Sequence, residues 1–176
     1  MKLSIPVLGL WLFWCFAAPV LISPAQAVEA DVVAYAEFFE DWVVTCSAEN
    51  KESCRLWQKV QVDLEGRRQD VMVVSITPQE ETTSPLLVVQ TPLDVFLPAG
   101  FGLDVDGQLV TTAPFRNCNA AGCWVTFPVS SELAQRLQRG AEGHAVFYIV
   151  EGQPIRISFS LRGFTAAWEA FENAAG

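Results

Sequence analysis

Five cysteines, one histidine and two closely spaced aspartates are the residues of this 176-residue chain whose types could carry chemistry. Cys118 and Cys123 bracket a short turn inside the stretch Pro114 to Pro128, which then runs into an apolar strand. Cys46 and Cys54 flank a polar turn in the same way. Three pairings of these four cysteines are open. Cys46–Cys54 and Cys118–Cys123 are favoured because a local turn already brings each pair of ends together. Longer bridges would stabilise more in the chain-entropy model, about 4 kcal/mol against roughly 2–3, but pairing also requires compatible geometry. A zinc site is the rival reading, and the spacings are wider than the two-residue gap of a zinc knuckle. Neither gap is the Cys-x-x-Cys of a redox pair.

His144 would have to serve any triad or Cys–His nucleophile, yet it opens an apolar strand with no serine or cysteine motif beside it. It reads as a strand-edge histidine. There is no Gly-x-Ser-x-Gly elbow and no phosphate loop. Asp104 and Asp106 before Gly107 resemble part of a calcium loop, but setting Gly107 at the invariant glycine puts Gly102 at the first ligand and Ala113 at the closing glutamate. A hairpin turn fits better. No pair of carboxylates stands out for glycoside hydrolysis. The expectation is therefore no catalytic residue, no metal and no cofactor. Two features fit contact better. Leu93, Val95, Phe96, Leu97 and Phe101 lie among prolines and glycines, as a strand-switching core segment or an exposed docking patch. Phe115 and Arg116 adjoin the second cysteine turn, Arg116 being a cation in an acidic protein.

The elements that would position these residues begin after an export leader. Residues 1–22 hold one cation, Lys2, and then a long apolar run, followed by Ser23-Pro24-Ala25-Gln26-Ala27 with small residues where a signal peptidase reads. Cleavage is expected after Ala27. A retained membrane anchor is the alternative, disfavoured by Pro19, Pro24 and the Ala-x-Ala site. Cys15 follows bulky residues, unlike a lipidated cysteine, and leaves with the leader. Cleavage removes one base and no acid, so 11 basic and 20 acidic residues become 10 and 20, a net charge of −10. Such a domain repels phosphate backbones and anionic lipid, so nucleic acid is not an expected partner. No integral span is expected after cleavage.

Residues 28–40 read as an N-terminal arm with faint helical character from Tyr35, Phe38 and Phe39. Residues 41–176 read as one disulfide-stapled β domain. Its strands start at Asp41–Cys46, and Val60, Val62 and Leu64 alternate with polar neighbours in the next. A hairpin loop is expected over 65–69 and a tighter turn at Asp106-Gly107. Leu86–Gln90 is a continuous apolar run, expected of a strand covered on both sides. Ser130 or Ser131 caps a short helix with Glu132 at its start, Arg136 and Arg139 near its end and Gly140 as its stop. Ala145–Val150 and Ile155–Leu161 form the last hairpin, and Thr165–Asn173 an amphipathic helix docked on the sheet. The pattern of roughly eight to ten short strands predicts an all-β antiparallel sandwich with one short helix before the last hairpin and a C-terminal helix.

Four stretches together resemble the invasion-associated locus B family of exported Gram-negative proteins: Trp42–Cys46 with Cys54, Thr91–Gly107, Phe115–Cys123 and Phe159–Ala167. They cover most of the chain beyond the leader, in order. The resemblance implies an exported β-rich domain with local disulfides, linked in some pathogens to host-cell entry. It implies no known reaction and no catalytic residues. The expected function is that of a non-enzymatic envelope or surface protein acting by contact with an unknown protein partner, in the envelope or on a host cell. The expected location is the periplasm, with outer-membrane association or secretion as alternatives. A module binding small apolar ligands at Leu93–Phe101 is the second reading, and a weak hydrolase the third.

Overall fold

The computed structural model describes residues 33–48, 54–79 and 84–175. The expected leader, its cleavage site and Cys15 lie outside the described residues. Eleven strands and two α-helices follow one another: β1 Val33–Phe39, β2 Trp42–Ser47, β3 Cys54–Leu64, β4 Arg67–Thr77, β5 Leu86–Thr91, β6 Phe101–Val105, β7 Gln108–Ala113, β8 Asn117–Asn119, β9 Gly122–Pro128, α1 Ser131–Arg139, β10 Glu142–Val150, β11 Gln153–Ser160 and α2 Phe164–Ala175. They form two antiparallel sheets, one in the order β1-β2-β3-β4-β5-β9-β8 and one in the order β11-β10-β6-β7. The expected all-β sandwich with its two helices is what the chain builds.

Alternation explains the layering. Trp42, Val44 and Cys46 of β2, Leu56 and Val60 of β3 and Val74 and Ile76 of β4 are buried, while their neighbours along each strand, Ser75 apart, are more open. In β5 Leu87 and Val89 are buried and Leu86 and Val88 half-buried, so one face rather than both carries the core. The smaller sheet covers part of the larger, with β11 against β3 and β7 against β9, and α2 covers β1, β2 and β3. Trp42 sits where these layers meet. Its ring packs edge-on to Phe164 of α2 at 4.9 Å and to Phe159 of β11 at 6.4 Å, and its Nε1–H donates to the Ser160 carbonyl. Gln58 is buried beside it and ties the same strand twice, donating to the Ser160 carbonyl and accepting from the Ser160 N–H. A buried amide satisfied across two sheets fixes their offset.

The hairpins follow their turn residues. Glu65-Gly66 and Asp106-Gly107 all have positive φ, the backbone of two-residue turns whose twist matches the strands. The first is thus tighter than the 65–69 loop expected from sequence, since β4 already begins at Arg67. Residues 33–39, expected to be faintly helical, are instead a strand paired with β2 from Phe39↔Trp42 to Val33↔Ser47. The aromatic residues misled because Tyr35 and Phe38, on opposite faces of the strand, are both exposed while only Phe39 packs on the core, which blurs the two-residue period. Helix α1 is capped as read, Ser130 Oγ accepting from the Leu133 N–H. Gly140 ends it for another reason than left-handed backbone. Its φ is −74°, and a Cβ there would stand 2.6 Å from Val105 and 2.8 Å from Leu161.

Both local disulfides are present, Cys46–Cys54 and Cys118–Cys123. Each joins residues directly opposite on neighbouring strands, β2 with β3 and β8 with β9. The second holds a three-residue edge strand that pairs over only three positions. Replacing Cys118 and Cys123 by serine should lower stability by about 2 kcal/mol, the loop-closure entropy of so short a ring. Urea unfolding of the double variant against the parent checks this, and an unchanged midpoint would show the ring to be redundant.

Candidate functional site

The outer face of the four-stranded sheet gathers the polar side chains that the rest of the fold leaves over. In β6, Phe101, Leu103 and Val105 point into the core, so Gly102 and Asp104 point outward. Ala145 and Phe147 face the core in β10, which turns Glu142, His144, Val146 and Tyr148 outward. Phe159 does the same in β11, turning Arg156 and Ser158 outward. Pairing then aligns them. His144 is opposite Asp104 on one side and Ser158 on the other, and Val146 is opposite Gly102 and Arg156.

Asp104 is the centre of this face at 4% exposure. Its Oδ1 accepts from the Gly107 N–H at 2.8 Å and lies 3.4 Å from His144 Nδ1, and its Oδ2 accepts from Arg156 Nη2 at 3.2 Å. Burial pushes the Asp104 carboxyl up. The Arg156 hydrogen bond, the Gly107 N–H and the nearby charges of Arg156 and His144 outweigh it and hold the carboxyl below the ordinary range. His144 Nε2 lies 3.4 Å from Glu142 Oε2, and Nδ1 is buried without a hydrogen bond of good geometry. The row Asp104, His144, Ser158 has the residue types of a hydrolytic triad. Its histidine, however, turns Nε2 toward Glu142, and no hydrogen bond joins it to Ser158 among the described residues, so the contact that activates a nucleophile is not made in this geometry. Asp106 accepts from the Ala141 and Glu142 N–H groups at 3.0–3.2 Å. Both aspartates of the Asp104-Val105-Asp106 stretch therefore tie backbone, as a hairpin reading expects.

Next to the charged row lies a groove of about 500 Å³. Gly102 forms its floor, Leu109 and Thr112 of β7 one wall, Val146, Tyr148 and Arg156 the other, and Pro98, Ala99 and Gly100 close an end. A Cβ on Gly102 would meet Leu109 at 3.2 Å and Val146 at 3.7 Å, so the missing side chain is what opens the floor.

The segment singled out between Leu93 and Phe101 crosses from β5 in one sheet to β6 in the other, and the structure divides its residues. Phe101 is buried against Phe127. Val95 packs on the core and Phe96 is half-buried, its N–H donating to the Tyr148 carbonyl at the end of β10. Leu93 and Leu97 are exposed, Leu97 next in the chain to Pro98 at the groove end, and Ile149 and Val150 are exposed just past Tyr148. Phe115 packs on the core, and exposed Arg116 uses its backbone N–H to bond the Trp124 carbonyl. Sequence reasoning missed the meeting of Asp104, His144 and Arg156. Strand alternation could have aimed each one outward, but nothing local says that β6 pairs with β10.

A family model described as invasion associated locus B (IalB) protein matches residues 42–172. The chain belongs to the invasion-associated locus B family. The match takes in both disulfides, the strand-switching segment and most of α2. Among solved structures, the invasion associated protein B of Bartonella henselae is similar with a TM-score of 0.68, at 19% identity over 80% of this chain and 97% of that one. At that identity the likeness speaks for the fold alone. No curated protein matches the chain. Within this fold, the outer face of the smaller sheet carries a half-hidden charge cluster beside a groove.

Proposed function

We propose that this member of the invasion-associated locus B family is an exported, non-enzymatic envelope protein that acts by protein–protein contact through the outer face of its smaller sheet. The observation that carries the reading is a set of exposed apolar side chains on the chain segments that adjoin that face. Leu109 is 64% exposed, and Leu93, Leu97, Ile149 and Val150 are each about half exposed on the segments that border the groove. Exposed apolar side chains on neighbouring segments are a liability unless a partner covers them. The two disulfides support export, because such bridges persist in oxidising compartments. Cleavage after Ala27 and a periplasmic site, with outer-membrane association or secretion as further stations, complete the proposal. The Bartonella relative is named for invasion. For this chain a host-cell partner is one outcome of the test and an envelope partner the other.

Crosslinking in intact cells, followed by mass analysis of what is captured, tests the reading. Leu97→Asp with Leu109→Asp should abolish capture and leave stability within about 0.5 kcal/mol, since neither side chain is buried. Capture that survives the double variant would remove this face from the function. The groove favours one second reading, a module for small apolar ligands. Thermal-shift screening against such ligands should then show stabilisation that Gly102→Val, which fills the floor, removes. No stabilisation by any of them would count against it.

A further inference from the structure

The groove on the outer face of the smaller sheet follows β6, from Gly100 just before the strand to Asp104 near its end. Its two ends differ in kind. Pro98, Ala99 and Gly100 close one end, and Leu109 and Val146 flank the bare Gly102 floor between. The other end is charged. Arg156 of β11 pairs with Val146 of β10, and Val146 with Gly102 of β6. The Arg156 side chain must therefore cross β10 to bring Nη2 to 3.2 Å from Asp104 Oδ2. Asp104 is nearly buried and both its oxygens are occupied, one by the Gly107 N–H and one by Arg156. It holds the guanidinium in place and has no free oxygen for what enters the groove. Arg156 itself lines the groove and stays half exposed. Of its five N–H donors, one is engaged among the described residues.

We propose that the groove binds a medium-chain fatty acid, its carboxylate on Arg156 and its chain laid over Gly102 toward Pro98. The proposal rests on the reading of this groove as a site for small apolar ligands, and it names their head group. Charge, length and backbone pairing choose the occupant. The fork of a guanidinium matches a carboxylate, and a single negative charge suits a place beside Asp104 better than the double charge of a phosphate. The span from Gly100 to Asp104 is roughly 13 Å at the rise of a strand, the reach of an extended acyl chain of about ten carbons. β6 and β10 beneath the groove are inner strands, hydrogen-bonded on both sides. Such a floor leaves the N–H and C=O groups of an entering peptide unpaired, and burying them so is costly. An acyl chain carries no such groups, and its one polar end meets the one free cation of the groove.

The test titrates the mature chain by calorimetry with decanoate, decanol and decyltrimethylammonium, each below the concentration at which it forms micelles. Decanoate should bind at one site per chain, about tenfold tighter than decanol, as a charge-assisted hydrogen bond provides. The ammonium should bind no better than decanol. Arg156→Gln should erase the advantage of decanoate and leave decanol binding unchanged, whereas Gly102→Val should abolish both. If Arg156→Gln does not fold, Arg156→Lys, which keeps a cation beside Asp104 and loses the fork, should show the same loss in smaller measure. Decanol or the ammonium bound as tightly as decanoate overturns the proposal and leaves the reading of an apolar site standing. So does a decanoate advantage that persists undiminished in the Arg156 variant. Binding of none of the three overturns both. Trileucine that displaces decanoate at a lower concentration gives the groove to a partner's C-terminus and overturns the fatty acid as its occupant.

Discussion

Replacing Trp42 by alanine should cost about 3–5 kcal/mol, the range for deleting a large aromatic from a packed core. The ring is 1% exposed and bears on three elements at once, its own sheet, Phe159 of β11 and Phe164 of α2. Such a site cannot collapse by moving one neighbour, so most of the cavity remains. The indole N–H is lost as well, although the Ser160 carbonyl keeps its bond from Gln58. Trp42→Phe separates the two contributions, retaining much of the ring and losing only the donor and some volume, and should cost about 1–2 kcal/mol. For a domain of this size the alanine variant should melt roughly 10 °C lower or more. Urea unfolding of both variants decides it. A cost below about 1 kcal/mol for alanine would mean that the sheets and α2 are not joined through this residue.

The same residue shows what the sequence could and could not convey. Trp42 opens a run of branched and aromatic residues, so the strand was legible, and so was α1, whose cap, charges and glycine stop are all local signals. The disulfides were legible for the same reason, each ring closing over a turn between neighbouring strands. Strand β1 was not. An edge strand half covered on one side has no clean alternation to read. The Leu93–Phe101 segment offered two readings, and both hold for different residues, because a chain crossing between sheets must bury some side chains and leave others outside. The charge cluster was the least legible feature. Asp104 and Arg156 are 52 residues apart, and they meet only because β10 inserts between their strands. Pairing order among distant strands is a property of the whole sheet, and no window of sequence contains it.

Asp104→Ala should cost about 3 kcal/mol at neutral pH, and the part of that cost owed to the carboxylate's charge should be lost in acid. The carboxylate is buried and accepts from Gly107 and Arg156, so its removal undoes a turn tie and an ion-paired bond together. Arg156 is half exposed and can turn to water, which keeps the cost below that of stranding a buried cation. The sign with pH follows from the depressed carboxyl. In the unfolded chain an aspartate takes up its proton near about pH 3.9, and in the fold it does so only lower. The stabilisation is therefore full above the unfolded value and is lost as pH falls through the folded one. Between about pH 7 and about pH 3 the gap between parent and variant should narrow, while Asp104→Asn, which keeps an acceptor for Gly107 without the charge, should lie between them at neutral pH and converge with the parent in acid. Urea midpoints at several pH values measure the gap. If it stays constant, the charge on Asp104 contributes nothing and the residue acts by shape and hydrogen bonding alone. If it widens in acid, the carboxyl is protonated in the fold, and the arrangement with Arg156 and His144 must be read the other way, as a neutral acid donating where it is now taken to accept.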